Sequence, residues 1–209
     1  DIQNLFLKFY FHIMAGNVAT AEGYLDLAEW GASSIRVGVG NGSICSTRLQ
    51  TGHGVPSASA IRDCYLAKIM HMKSATIIAD GGIRNVGDIA KALALGADVV
   101  MLGSMLAGTE ESPGRLVTIE GRKMKEYRGM ASKEAQIDWR GRVSSEEGIS
   151  TYITPKGSVD SILDQIDNGV RSALSYSGVP NLLKFRSHAK IIFQSQSSRV
   201  ESGTHILGG

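Results

Sequence analysis

Cysteine is scarce: Cys45 and Cys64 are the only two in 209 residues. Two thiols cannot build a disulfide framework, so a reducing compartment, by default the cytoplasm, is expected. Charge of one sign is not in excess either. Twenty-two Lys and Arg against 20 Asp and Glu leave a net +2, too little for the strongly basic surface that grips a nucleic-acid backbone. No apolar run reaches the ~18 residues of a membrane span. His12, His53, His71, His188 and His205 show no metal-ligand spacing, which argues against a zinc site. No methionine precedes Met14, and no signal-peptide pattern accounts for that. The chain is therefore expected to begin inside a longer unit.

What is present points to a folded α/β domain, or to part of one. Hydrophobic residues make up 43% and charged residues 20%, enough for a core and unlike a disordered chain. Four short runs rich in β-branched residues are each followed by glycine: Phe11 to Ala15, Ser34 to Gly38, Ala75 to Ala79, and Asp98 to Gly103. Helical patterns intervene: one capped by Thr20 and ending near Gly31, Ser57 to Met70, and Val86 to Leu95 closed by Gly96. Val159, Ile162, Leu163, Ile166 and Val170 mark a further helix. Such alternation predicts βα units on a parallel sheet. It fits a small doubly wound sheet or half of an eight-fold (β/α)8 TIM barrel, and the missing methionine favours the half barrel, strands 5–8. Residues 1–189 then form a partial barrel domain. About 106–157 in it read as an irregular, glycine-dotted insertion of the kind that serves as a flap. Residues 190–209 are expected to be a loosely ordered tail. Half a barrel leaves two sheet edges and an apolar inner face uncovered, so an oligomer or a longer polypeptide is expected.

The strand ends carry the candidate chemistry. Asp80-Gly81-Gly82 closes the third strand and Gly103-Ser104 the fourth, each just before helical sequence. Exposed backbone N–H groups there either bind a phosphate or simply turn the chain; two such sets on adjacent strands favour phosphate. Asp80 is a candidate acceptor for a sugar hydroxyl or a loop cap. The second strand runs into Gly38-Val39-Gly40-Asn41-Gly42-Ser43-Ile44-Cys45-Ser46-Thr47-Arg48. Such a loop can turn carbonyls inward around a monovalent cation, or carry Cys45 to the mouth of the sheet. Beside Arg48 and backbone donors, Cys45 is expected to ionise readily and act as a nucleophile. Cys64, on a helix, reads as a buried hydrophobe.

That cysteine loop resembles the catalytic loop of the IMP dehydrogenase/GMP reductase family. Ile78-Ala79-Asp80-Gly81-Gly82-Ile83, Met101-Leu102-Gly103-Ser104 and Tyr127-Arg128-Gly129-Met130 resemble its nucleotide-binding segments in order and spacing. Ala15-Gly16-Asn17-Val18 resembles the end of its fifth barrel strand. The likeness covers residues 5 to about 185. It implies an eight-fold barrel, a homotetramer, a purine 5′-monophosphate (GMP or IMP) and a nicotinamide cofactor, with neither nucleic acid nor membrane as partner. It implies that Cys45 attacks purine C2, and that Thr47 and Glu147 handle protons and the leaving group. Ser43, Asp80, Gly81, Gly82, Gly103, Ser104, Tyr127, Gly129 and Met130 would bind the nucleotide. Met130 and, more weakly, Arg128 would meet the cofactor, and carbonyls of Gly40, Gly42 and Cys45 would hold potassium.

Two departures qualify the likeness. Strands one to four, with the cofactor-binding residues they carry, are missing, and Asp1 falls in what would be the helix after strand four. The dehydrogenases also carry an arginine–tyrosine pair in the flap to activate water, and Tyr152 and Pro155 stand in the corresponding places. The balance falls to an NADPH-dependent reductase converting GMP to IMP. The alternatives are an NAD-dependent dehydrogenase converting IMP to XMP, suggested by the likeness of Thr109 to Gly114 to bacterial dehydrogenases, and a non-catalytic nucleotide-binding half barrel.

Overall fold

The computed structural model describes residues 11–203. Asp1, expected in a helix, and residues 204–209 of the expected tail lie outside them. Four strands, β1 (Met14–Val18), β2 (Ser34–Val37), β3 (Thr76–Asp80) and β4 (Val99–Met101), form a parallel sheet in that order. Helix α1 (Ala21–Glu29) follows β1, α2 (Thr47–Thr51) and α3 (Ser57–Met70) follow β2, and α4 (Val86–Ala94) follows β3. Thr20 caps α1 by accepting from the Gly23 N–H at 3.2 Å, and Asn85 caps α4 by accepting from Asp88 N–H at 2.9 Å. The first strand lies three residues beyond the expected Phe11 to Ala15. Pairing with β2, from Met14 opposite Ser34 to Val18 opposite Val37, defines it rather than the apolar run before it.

Alternation along the strands separates two faces. Ile35, Val37, Ile77 and Ala79 turn toward the helices and are buried with Tyr24, Ile61, Cys64, Ile89 and Leu93. Truncating one of those isoleucines to alanine should cost about 2–5 kcal/mol. The other face was expected to be apolar; it carries Met14, Ile78, Val99 and Met101, but also Arg36 and Asp80, paired at 2.8 Å. Polar groups at the strand ends account for the difference.

Between β4 and the next long helix the chain is more regular than its sequence suggests. Strands β5 (Leu116–Ile119) and β6 (Arg122–Arg128), helix α5 (Lys133–Arg140) and strand β7 (Ser150–Ile153) follow, and the strands form an antiparallel sheet in the order β5-β6-β7. Glu120 and Gly121, both at positive φ (49° and 75°), turn β5 into β6. The usual alternation is hidden because a lysine takes the inward place: Lys125 is buried and donates to the carbonyls of Thr109 (2.5 Å) and Glu110 (3.2 Å). Helix α6 (Asp160–Tyr176) then crosses α4 where Gly169 leaves room; a Cβ there would sit 2.4 Å from Val86 Cγ1. Helices α7 (Leu182–His188) and α8 (Gln196–Glu201) follow, the latter exposed. Among the described residues no helix is long and apolar enough to cross a membrane.

Asp98, just before β4, ties sheet and helices together. It accepts from Lys68 Nζ and Ile77 N–H, both at 2.8 Å, and pairs with Arg186 at 2.9 Å. Burial pushes its carboxyl up, but the Lys68 and Ile77 hydrogen bonds and the charges of Lys68 and Arg186 outweigh this and hold it below the ordinary carboxylate value. A carboxyl depressed in the folded state stabilises fully above its unfolded-chain pKa, and that contribution is lost as pH falls through the folded value. Asp98→Asn is therefore expected to cost about 2 kcal/mol near neutral pH in urea unfolding. The gap from wild type should close below about pH 4.

Candidate active site

Glycine decides how the strand-end loops meet. Gly38 leaves β2 at φ +148°, and a Cβ there would fall 2.0 Å from the Asp80 carbonyl oxygen. Gly81, at φ +89°, faces the Asn41–Gly42 peptide, where a Cβ would lie 3.0 Å from Asn41 C and Gly42 N. No side chain fits either contact, so the β2 and β3 loops touch backbone to backbone.

Cys45, half-buried on the first loop, donates its thiol hydrogen to Thr47 Oγ1 at 3.2 Å. Thr47 Oγ1 in turn donates to Glu147 Oε2 at 2.8 Å. The glutamate reaches across a hundred residues because the returning arm of the insertion at about 106–157 pairs with the cysteine loop. Ser46 N–H donates to Glu147 O (2.9 Å), Ile149 N–H to Ile44 O (3.0 Å), and Ser46 Oγ to Glu146 O (3.0 Å). A hydroxyl that gives its proton to a carboxylate presents a lone pair to the thiol, so the three groups form a proton path from sulfur to carboxylate. Arg48 is not the thiol's partner that the sequence suggested. Its guanidinium turns away to Asn41 Oδ1 and the Val55 carbonyl.

A cavity of about 370 Å³ opens above Cys45, within the range of small-ligand sites. Gly42, Ser43, Cys45, Asp80, Gly81, Gly82, Gly103, Ser104, Tyr127, Gly129, Met130 and Glu147 all line it. The sequence-derived nucleotide set thus lies around one space. The amide N–H groups of Gly82, Gly103 and Ser104 donate no hydrogen bond to any described residue, leaving donors at one end of the cavity for an anion. Ser43 and Tyr127 share a hydroxyl–hydroxyl hydrogen bond of 3.2 Å there. Asp80 receives Asn17 Nδ2 (2.7 Å) and Arg36 Nε and Nη2 (3.1 and 2.8 Å), all on Oδ2. Its Oδ1 accepts from no described residue and remains available to a ligand hydroxyl.

Three candidates lie elsewhere. Thr47 stands behind Cys45, and Gly40 lies outside the cavity wall. Arg128 faces a second cavity of about 790 Å³ and pairs with Asp138 at 2.6 Å; Met130 borders both cavities. The carbonyls of Gly40 and Cys45 accept no hydrogen bond among the described residues, and that of Gly42 accepts one, from Cys45 N–H at 3.2 Å. Neutral carbonyls with free lone pairs suit a monovalent cation. The described residues contain no His, Cys, Asp and Glu cluster for a metal ion. Sequence reasoning missed Asn17 and Arg36 as holders of Asp80, and the backbone walls at Ala131 and Gly148. An arginine amid the apolar Ile35 and Val37 was the available signal for the first group.

The model of the IMP dehydrogenase/GMP reductase domain matches residues 2–205, further at both ends than the motifs alone extend. Inosine-5′-monophosphate dehydrogenase of Nitrosopumilus maritimus is 45% identical over 205 residues, covering 92% of this chain and 43% of its own. GMP reductase of Leishmania donovani is 43% identical over 205 residues, covering 93% and 41%. The solved structure of a Cys-to-Ala variant of Trypanosoma brucei GMP reductase with guanosine 5′-monophosphate superposes with a TM-score of 0.88 at 41% identity. It covers 94% of this chain and 41% of that one. The chain spans about two fifths of the length of these relatives.

The two cysteines should respond oppositely to alkylation. Burial, helped by the charges of Asp63 and Glu22, pushes the Cys64 thiol up to about 12, leaving roughly one in 10⁴ as thiolate at pH 8. Iodoacetamide at that pH is expected to modify Cys45 and spare Cys64, as counted by peptide mass spectrometry. Equal labelling of both in folded protein would remove Cys45 as the nucleophile.

Proposed function

The chain belongs to the IMP dehydrogenase/GMP reductase family, whose members are NAD(P)-dependent oxidoreductases of purine nucleotides, and on that premise we propose that it carries the nucleotide site of a GMP reductase. The reaction is NADPH-dependent reductive deamination of GMP to IMP. The parallel sheet is read as the second half of an eight-fold barrel, residues 1–189, under a flap at about 106–157 and followed by a tail at 190–209. The complete protein would supply the other strands, form a homotetramer and work in the cytoplasm.

In this reading the free N–H groups of Gly82, Gly103 and Ser104 take the 5′-phosphate, with Gly81, Ser43 and Tyr127 beside it. Asp80 Oδ1 takes a ribose hydroxyl, while Gly129 and Met130 flank the base. Cys45 gives its proton to the Thr47–Glu147 pair, and its sulfur adds to purine C2. The same pair returns a proton to the C2 amino group, which leaves as ammonia. A bound nicotinamide would supply a hydride to C2; Cys45 would leave C2 as thiolate and take up one proton from solvent, so that GMP, hydride and one proton give IMP and ammonia. Met130, with Arg128 nearby, would border that cofactor. Carbonyls of Gly40, Gly42 and Cys45 would hold a potassium ion and steady the cysteine loop.

The observation that carries the choice of reaction is the Thr47–Glu147 hydrogen bond of 2.8 Å beside Cys45, which suits protonation of a leaving amine. No arginine lines that cavity among the described residues, and neither does Tyr152, so the arginine–tyrosine pair that the dehydrogenases carry in the flap has no counterpart there. The dehydrogenase reading retains the support of relatives of that name at 45% identity.

The test is NADPH oxidation with GMP by the full-length protein, with ammonia release measured in parallel. Glu147→Gln should lower turnover about 10²- to 10⁴-fold. Steady XMP formation from IMP and NAD, without GMP-dependent NADPH oxidation, would transfer the assignment to the dehydrogenase.

A further inference from the structure

Thr109, Ser132 and Gln136 are fully buried polar side chains of the lid that the reaction above does not use. Gln136, on α5, is 1% exposed. Its Nε2 donates to the carbonyls of Ala131 (2.8 Å) and Ser145 (3.0 Å). Its Oε1 accepts from the Ser144 N–H (2.9 Å), the Ser144 hydroxyl (3.2 Å) and the Arg140 guanidinium. One carboxamide therefore ties the lid's outgoing arm, at Ala131, to its returning arm, at Ser144 and Ser145.

The returning arm is the one that carries Glu147. Two residues past Ser145, it pairs with the cysteine loop through Ser46 N–H and Glu147 O at 2.9 Å. Gly148 lets the two arms touch: a Cβ there would lie 3.0 Å from Ser132 N and 3.2 Å from Ala131 C. Among the described residues Thr47 is the only hydrogen-bond donor to the Glu147 carboxylate. The backbone of the returning arm, rather than any grip on the carboxylate itself, sets where that carboxylate stands. A side chain of similar size without the amide would leave the Ala131 and Ser145 carbonyls and the Ser144 N–H without the partner that joins the two arms. Ser144 and Ser145 are exposed, so water would take the amide's place and release the returning arm toward solvent.

We propose that Gln136 is the positioning residue that holds Glu147 against Thr47. The proposal deepens the reading of the Cys45–Thr47–Glu147 path and rests on it.

Cys45 alkylation in this chain, without nucleotide, separates the two. Gln136→Met is expected to slow labelling of Cys45 about tenfold, as Glu147 leaves Thr47, with Cys64 still protected. Glu147→Gln should also slow it, because the path then lacks its proton acceptor, and the double variant should be no slower than the slower single one, as for groups acting through one another. Gln136→Glu is the second variant; it keeps the acceptor for Ser144 but turns an oxygen toward the Ala131 and Ser145 carbonyls, and should match Gln136→Met. In the full-length reductase assay, Gln136→Met should lower kcat with the KM for GMP held, as Glu147→Gln does. Effects that multiply, unchanged or faster Cys45 labelling, or exposure of Cys64 in both Gln136 variants would overturn the proposal. Absence of reductase activity in the wild type would instead overturn the reaction, with the labelling cycle still deciding the role of Gln136.

Discussion

The site depends on the backbone contact between the β2 and β3 loops. A Cβ at Gly38 would fall 2.0 Å from the Asp80 carbonyl oxygen, and one at Gly81 would crowd the Asn41–Gly42 peptide. With hydrogen in both places, the cysteine loop lies directly against the end of β3. That brings Cys45, Asp80 and the free amides of Gly82 into one cavity with Gly103 and Ser104 from the next strand end. The Arg36–Asp80 pair, on the face turned away from the core, belongs to the same arrangement. With both its nitrogens on Oδ2 and Asn17 beside it, the carboxylate presents Oδ1 outward in a fixed orientation.

The lid supplies what the sheet cannot. Parallel strands end in loops rich in N–H donors, which suit an anion, but the carboxylate that the thiol reaches through Thr47 is that of Glu147, far along the chain. Its delivery costs the lid an internal framework: a three-stranded sheet, a buried lysine on two carbonyls, and a glutamine whose amide is fully engaged. Lys156 adds to this at the lid's base by donating to the carbonyls of Ser104 (2.7 Å) and Met105 (3.0 Å). The loop that offers Gly103 and Ser104 amides is thereby held from behind by a cation. Charge of that sign near an anion site is favourable, and the flap and the anion loop share one anchor.

Much of this was legible in the sequence, and the reasons are local. The Thr20 cap, the Gly96 stop, the β-branched runs and the glycines at strand ends act over a few residues, so α1, α3, α4 and β2 to β4 fall close to where pattern places them. Cys45 and Thr47 sit two apart on one loop. Glu147 came only from family likeness, because no spacing rule links residues a hundred apart. The lid sheet escaped because Lys125 takes a buried place and the strands around it are rich in lysine and arginine, which inverts the usual signal. Arg48 misled for the opposite reason: its proximity in sequence to Cys45 is undone by Gly40 and Gly54, whose missing side chains let it fold back onto Asn41 and Val55. Gln136 gave no signal, since a glutamine on a polar helix looks exposed until the returning arm covers it.

The central claim is that one nucleotide sits across the three strand ends with its base over Cys45. A crystal structure of this chain grown with GMP tests it most directly. The account predicts density with the phosphate on the amides of Gly82, Gly103 and Ser104, a ribose hydroxyl on Asp80 Oδ1, and purine C2 in contact with Cys45 Sγ. A nucleotide bound elsewhere, or seated with its phosphate toward Cys45 and its base toward Gly103, would contradict it.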